Sequence, residues 1–216
     1  NIIEFEEKPA NPKSNNASMG VYVFSFDKLC SYLEADEQDP ESSNDFGKNI
    51  IPAMLNAGEC MTAYTFNDYW KDVGTIESLW DANMDLLNDP VPVDLRDREW
   101  RIYARNVGSP PHYVAEGGSV IDSLITEGCQ IMGSVTHSVL STNAIVEEGA
   151  VVIDSVLMPG ARIGKGAVIR RAIVAENAVI GEGCVVGEEE GDIAVVGSNT
   201  SLKAGEFVAA GQQVGE

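Results

Sequence analysis

Along the first ninety residues the apolar positions come in two rhythms. Ile2 to Phe5 (IIEF), Met19 to Phe26 (MGVYVFSF) and Met61 to Phe66 (MTAYTF) are short runs rich in β-branched and aromatic residues, the composition of strands. Between them the spacing is helical. Asp27 is placed to cap a helix running through Tyr32 to Ala35, and the polar stretch EADEQDPESSND then reads as a surface loop. Asp45 opens a second helix with Phe46, Ile50, Ile51, Met54 and Leu55 at helical spacing, and Gly58 ends it. Thr75 caps a third, where Ile76, Leu79, Trp80, Asn83, Leu86 and Leu87 recur on one face. Glu77 and Asp81 suit the N-terminal half of that helix, and Pro90 and Pro92 close it. Strands interleaved with helices predict an α/β layer structure.

After about residue 108 the helical signal vanishes and a six-residue rhythm replaces it. Ile125 and Ile131 begin it, and Ile145, Val151, Leu157, Ile163 and Ile169 continue at six-residue intervals. After a one-residue slip, Val168, Val174, Ile180 and Val186 keep the interval. The repeats ITEGC, LMPGA, IGKGA and IGEGC share the form aliphatic-x-x-Gly-small. Six fits neither the helix period nor the strand period. It fits a coil of short strands, with one aliphatic side chain per face pointing inward and Gly or a small residue at each corner. Stacked coils bury a continuous core that no single repeat could bury alone. On this reading the slip and the less regular stretch Val135 to Asn143 are corner loops. Cys129 and Cys184, at the small position, are packing residues rather than reactive thiols.

Composition narrows the class. The 216 residues carry 34 Asp and Glu against 14 Lys and Arg, a formal charge of −20, yet 44% are hydrophobic, too many for a disordered acidic tail. So negative a chain repels nucleic acid and anionic membrane surfaces, and an anionic substrate would need a local Lys, Arg or divalent cation. No apolar run is long enough to span a bilayer, and no export signal opens the sequence. Asn1 leads straight into a strand-like run, which reads as the cut end of a longer chain. Cys30, Cys60, Cys129 and Cys184 have no CxxC spacing and no nearby His, which argues against zinc and against a disulfide framework and favours a reducing cytoplasm.

Three segments could carry chemistry. In EFEEKP, Pro9 is expected to hold Lys8 extended and could aim its ammonium into a cleft beside Glu7, although a surface Glu–Lys pair is the ordinary reading. In NASMGVYVF, Ser18 and Gly20 begin a strand where a ligand could approach the backbone, or where a strand simply starts. In DYWKDVGT, Asp72 lies between a strand and the cap of the next helix, with Trp70 as a flat apolar wall. Carboxyl ends of strands in open α/β sheets are where such sheets bind ligands, although Asp68 or Asp72 alone could be surface residues.

The ordered set EFEEKP, ASMGVYVF, DFGKNIIP and YWKDVGT, then WRIYAR (Trp100 to Arg105), Pro110–Pro111 and the hexapeptide repeats, resembles the ADP-glucose pyrophosphorylases (glucose-1-phosphate adenylyltransferases) of bacterial glycogen synthesis. Related sugar-nucleotide pyrophosphorylases share the EKP and DVGT-like segments. The resemblance implies the C-terminal part of a Rossmann-like nucleotidyltransferase domain over residues 1–92, a linker over 93–112 and a left-handed parallel β-helix over 113–216. It implies Mg²⁺-dependent attack of glucose 1-phosphate on the α-phosphate of ATP, giving ADP-glucose and pyrophosphate. Asp72 would be the catalytic, metal-ligating carboxylate. Glu7, Lys8, Ser18 and Trp70 would hold the sugar phosphate, Lys8 pairing with the phosphate itself.

Members of this family also carry a Gly-rich phosphate loop near the N-terminus and a further metal-binding Asp. Neither is present here, so a fragment inactive by itself is expected. An anionic allosteric effector and a homo-oligomer or mixed tetramer are also implied, with Arg162, Lys165, Arg170 and Arg171 as candidate effector or interface residues and salt bridges to Glu147, Glu148 or Glu182 as the ordinary alternative. His112 and His137 invite comparison with β-helix acyltransferases but read as structural. The rival of another class is a non-catalytic regulatory subunit; retention of both Lys8 and Asp72 favours catalysis.

Overall fold

The computed structural model describes residues 1–104 and 108–215, which divide into two compact units, one over residues 1–68 and one from residue 69 onward. In the first unit, helix α1 (Phe26–Glu37) is followed by a π-helical turn (Phe46–Ile50) that runs into helix α2 (Ile51–Asn56). Asp45 caps the π turn as its position predicts, accepting from Lys48 N at 2.8 Å, and Gly58 leaves α2 with φ +77°. Asp27 does not cap α1. The N-cap is Ser25, without a side-chain cap bond, and Asp27 lies in the first turn, where its charge suits the helix dipole.

The strand-like runs of the first unit form no β-ladder among the described residues. Ile2 N donates to Met61 O at 2.8 Å, but the runs find no sheet neighbours, and strand propensity alone cannot hold an isolated pair together. Their alternating side chains therefore stay out of a core: Ile3, Val21, Val23 and Tyr64 are all exposed. Lys8 is not extended either. Its φ is +47°, a left-handed conformation that lets the chain turn at Pro9.

The second unit is a parallel β-helix with one helix laid on it. Among the described residues, seventeen two- and three-residue strands form three flat faces of five, six and six strands. The first face runs from Tyr113–Val114 to Val179–Ile180, the second from Ser119–Ile121 to Phe207–Val208, and the third from Leu124–Ile125 to Gln213–Val214. In the regular coils, partners one coil apart are seventeen residues apart in sequence: Ile145 with Arg162, Val151 with Val168, Val156 with Ile173. Seventeen is two steps of six and one of five, so the slip seen in sequence recurs in each of these regular coils. The inward residues run Val146, Val152, Leu157, Ile163, Ile169, Val174, Ile180 and Val186, each essentially inaccessible. Ile145, Val151 and Val168, expected inside, point outward and are half-buried; the true inward positions are their immediate neighbours.

The five-residue step needs a sharp corner. Asp122, His137, Asp154 and Arg171 occupy it in successive coils, all with φ between +41° and +48°. The stretch 135–143, expected as a loop, is instead two strands joined by this corner, with Val135, Val139 and Leu140 buried. One place after the corner stands a serine ladder. Ser155 Oγ donates to Ile153 O at 2.6 Å and accepts from Ala172 N at 3.2 Å, while Ser138 Oγ likewise serves Thr136 O and Ser155 N. Both serines are fully buried and both are satisfied. Cys129 and Cys184 are also fully buried, as expected of packing residues.

The third face is covered. Helix α3 (Ile76–Met84) lays Ile76, Leu79, Trp80 and Met84 on Val139, Val156, Ile173 and Ile193, a second apolar cluster outside the coil. Trp80 Nε1 donates to Asp154 O at 2.7 Å, and the Arg171 guanidinium stacks over the indole at 5.0 Å. Thr75 caps α3 as its position predicts, in a reciprocal box with Ser78. No helix is long and apolar enough to cross a membrane among the described residues.

Candidate functional site

In the first unit a cleft of about 430 Å³ is lined by Glu7, Ser18, Gly20, Tyr22, Asn44, Asp45, Phe46 and Gly47. Its walls follow from local chemistry. Gly20 takes φ +71°, which lets its N–H reach back to Ser18 Oγ at 3.2 Å. Ser18 Oγ also pairs with Tyr22 OH at 3.0 Å. The Tyr22 ring stacks on Phe46 with centroids 6.0 Å apart and planes 17° apart, and Phe24 tilts against both. Gly47 is buried under the Glu7 carboxylate, and a Cβ there would lie far inside van der Waals contact with Glu7 Oε2. The carboxylates of Glu7 and Asp45, the hydroxyls of Ser18 and Tyr22 and one aromatic wall suit a ligand rich in hydroxyl groups.

Of the residues predicted from sequence, Glu7 and Ser18 thus share one cleft. Lys8 does not line it. Its side chain is 91% exposed, with Nζ 3.8 Å from Glu7 Oε1. Gly20, named with Ser18, lines the cleft too, whereas the elements predicted from sequence give no ligand role to Tyr22, which reads as a strand residue, to Asn44 in a polar loop, or to Asp45 to Gly47, which read as a helix start. The available signal was Phe46: an aromatic directly after an N-cap, followed by Gly, is poorly placed to face a core.

Trp70 and Asp72 belong to the second unit. Both are exposed, whereas Tyr69 and Lys71 between and before them are half-buried. Asp72 Oδ1 accepts from Gly74 N at 2.9 Å, which fixes the carboxylate over the turn that leads into α3. Lys71 Nζ donates to Asp85 Oδ2 at 2.7 Å, and Tyr69 OH donates to the same oxygen at 2.9 Å. The Lys71 bond holds the Asp85 carboxyl below its ordinary pKa and raises that of Lys71, while burial and the Asp85 bond raise that of Tyr69.

A dedicated protein cage for a metal, with three or more His, Cys, Asp or Glu side chains, does not occur among the described residues. A lone carboxylate with one oxygen oriented by a backbone N–H still fits Mg²⁺, which keeps its waters and takes one or two carboxylates together with substrate phosphates.

The basic cluster of the sequence is dispersed by the coil. Arg162 points outward from the first face, Lys165 stands at a corner 3.8 Å from Glu148, and Arg170 ends a strand of the second face 3.9 Å from Glu189. Arg171 is the corner residue over Trp80, and its Nη2 donates to Gly191 O at 3.3 Å. His137 Nδ1 lies 2.6 Å from Asp154 Oδ1, one coil above it in the same corner column. Trp100, Ile102 and Tyr103 of WRIYAR are exposed, and Arg105 lies outside the described residues.

Residues 1–89 match the family model described as nucleotidyl transferase, and residues 111–199 match that described as GlmU-like, C-terminal hexapeptide. Over 152 residues the chain is 57% identical to the glucose-1-phosphate adenylyltransferases of Bacillus thuringiensis and Bacillus anthracis. It is 56% identical to that of Bacillus mycoides over the same length. Each match covers 70% of this chain and 40% of the relative, so the chain corresponds to well under two thirds of these proteins. The resemblance carried by the motifs therefore extends through both parts of the chain: nucleotidyl transferase sequence, then hexapeptide repeats.

Proposed function

We propose that this chain is the sugar-phosphate-binding and β-helix portion of a glucose-1-phosphate adenylyltransferase, which joins glucose 1-phosphate to ATP to give ADP-glucose and pyrophosphate in glycogen synthesis. The observation that carries the reading is the cleft of the first unit. It brings Glu7 and Ser18, named from two separate motifs, together with Asp45 and the Tyr22–Phe46 stack. In this reading Glu7, Ser18, Tyr22 and Asp45 take the glucose hydroxyls and Phe46 supports a sugar face. Lys8, exposed and free to swing from Glu7, pairs with the phosphate, which gives an acidic protein its local cation. In the second unit, the exposed Asp72 carboxylate would hold Mg²⁺, with exposed Trp70 beside it in sequence. When bound, Mg²⁺ neutralises phosphate charge; the protein's own part is to orient the sugar phosphate and to keep Asp72 aimed.

Glucose 1-phosphate should bind the 216-residue chain in calorimetry, and Glu7→Gln and Ser18→Ala should each weaken it by about tenfold. Binding of glucose 1-phosphate no tighter than that of inorganic phosphate would overturn the sugar assignment. In the complete gene product, Asp72→Asn should remove most turnover, and an Asp72→Asn variant near full activity would refute the metal role.

Assembly into oligomers belongs to the same reading. The outward positions of the second face include Ile121, Val151, Ile153, Val168, Val185 and Phe207, and none of its outward residues is acidic in a chain of charge −20. Like-charged copies approach most readily through such a face. Val168→Asp should then lower the sedimenting mass, and an unchanged mass would exclude this face.

A further inference from the structure

Residues 69–72 lie in no strand, yet their side chains alternate in exposure as they would along an extended chain. Tyr69 and Lys71 are half-buried, Trp70 and Asp72 exposed. The inner pair has one destination. Lys71 Nζ and Tyr69 OH both donate to Oδ2 of Asp85, at 2.7 and 2.9 Å. Asp85 opens the short 3₁₀ turn that continues α3, and its other oxygen accepts from Asn88 Nδ2 at 3.4 Å. Asp81, one helical turn earlier, lies 3.8 Å from the same ammonium. At the other end of the segment, Asp72 Oδ1 takes the Gly74 N–H, and Thr75 caps α3. The chain from 69 to 85 is therefore a closed loop, pinned at its start by the far end of its own helix.

That arrangement has a steric consequence. Because exposure alternates residue by residue, a rotation of the segment that turned Tyr69 and Lys71 outward would turn Trp70 and Asp72 inward. A single ion pair would restrain one side chain; a carboxylate oxygen shared by residues i and i+2 restrains the side of the segment they occupy. What remains outside is Trp70 and Asp72.

We propose that Asp85 is a positioning residue: by holding Tyr69 and Lys71 it sets which side of the segment presents Trp70 and Asp72, and so aims the Asp72 carboxylate. The inference rests on the adenylyltransferase reading only for what Asp72 does, not for the clamp itself. Asp85 touches no substrate. It acts through Lys71 and through the helix it terminates, and that helix is seated on the β-helix by Trp80.

The test has two arms. In the complete gene product, Asp85→Ala should lower kcat and raise the Mg²⁺ concentration needed for half-maximal rate, each by about tenfold or more, since small misplacements of a reacting group are costly. The KM for ATP should stay within about twofold of wild type in that variant. Lys71→Ala should repeat the effect, and Lys71→Arg, which keeps a cation for Asp85, should restore activity to within about threefold. The other arm needs no activity. In the 216-residue chain, amide exchange at Gly74, whose N–H rests on Asp72, should accelerate in Asp85→Ala and in Lys71→Ala but not in Lys71→Arg, with the exchange of the β-helix amides unmoved. Unchanged exchange at Gly74 in Asp85→Ala, or a Lys71→Arg variant as impaired as Lys71→Ala, overturns the proposal. If the wild-type gene product forms no ADP-glucose, the functional reading falls while the exchange arm still decides the clamp.

Discussion

Removing the hydroxyl of Ser155 isolates one rung of the serine ladder. The side chain is fully buried, and its oxygen makes two bonds: it donates to Ile153 O at 2.6 Å and accepts from Ala172 N at 3.2 Å, one coil above. In Ser155→Ala the two partners fare differently. Ile153 O still receives the Arg171 N–H at 3.2 Å, so that carbonyl stays satisfied. The Ala172 N–H, in a residue with no exposure, loses its acceptor, and water has no path to replace it. The cost is therefore that of one orphaned buried donor, about 1–3 kcal/mol, with little cavity contribution because only an oxygen is lost.

Ser123 provides the internal control. Its hydroxyl serves Ser138 N in the same way at 3.1 Å; Ser138 is as buried as Ala172, but the hydroxyl position vacated at half-exposed Ser123 is one that water can take. Ser123→Ala should cost less than Ser155→Ala, about 0.5–1.5 kcal/mol. Urea unfolding followed by far-ultraviolet circular dichroism measures both. Because each coil touches only its neighbours, global unfolding of such a stack need not be two-state, so the Ala172 amide should also be followed by hydrogen exchange. It should exchange roughly tenfold faster for each 1.4 kcal/mol lost. A Ser155→Ala variant no less stable than Ser123→Ala, with Ala172 exchange unchanged, would refute the assignment of the ladder as a stabilising device.

Other perturbations test other parts of the structure. Gly47→Ala should push the Glu7 carboxylate from its seat and weaken glucose 1-phosphate binding about tenfold while leaving the melting temperature nearly unchanged, because the group displaced is the far end of a flexible side chain; calorimetry reads the first and thermal unfolding the second. Leu157→Ala, at a fully buried inward position, should cost about 2–5 kcal/mol in urea unfolding. Exposed Cys60 should react with a thiol reagent at once, whereas Cys129 and Cys184 should react only after unfolding. Burial raises the Cys129 pKa, so the folded state keeps its proton longer than the unfolded state does. The stability linked to that proton is fully present below the ordinary thiol value of about 8.5 and is lost as pH rises from there through the raised folded value. Cys129→Ala should flatten that alkaline decline, and an equally steep decline in the variant would count against it.

The hexapeptide rhythm was legible in the sequence, but its phase was not. Several faces carry two adjacent aliphatics, Ile145–Val146, Val151–Val152 and Val185–Val186, and hydrophobicity cannot say which of each pair points inward. The backbone can. In the regular coils the inward residue stands three places after a corner residue with positive φ: Gly149 before Val152, Gly166 before Ile169, Asn143 before Val146, Asn177 before Ile180. Gly and Asn tolerate that conformation and betray the corner. At the third corner the same rule holds with Asp154 before Leu157 and Arg171 before Val174, of which Asp is a weaker mark than Gly and Arg is none. This is why the slip looked like a single event, and why Arg171 was counted with Arg162, Lys165 and Arg170 as a basic patch. In the folded chain Arg171 is first a corner residue, and its guanidinium lies on Trp80.

Part of the cleft and the Asp85 contact are hidden in the sequence for a related reason. Glu7, Ser18 and Asp72 stand at the ends of elements, but Asp45 to Gly47 read as a helix start and Asp85 falls within a helix whose apolar face carries the visible pattern. A residue that satisfies a local rule and also serves a site leaves no excess in the pattern. Asp45 caps a turn and lines the cleft; Asp85 ends a helix and holds Lys71. Only the side-chain partners separate the two roles, and those depend on contacts far apart in sequence, fourteen residues in the case of Lys71 and Asp85.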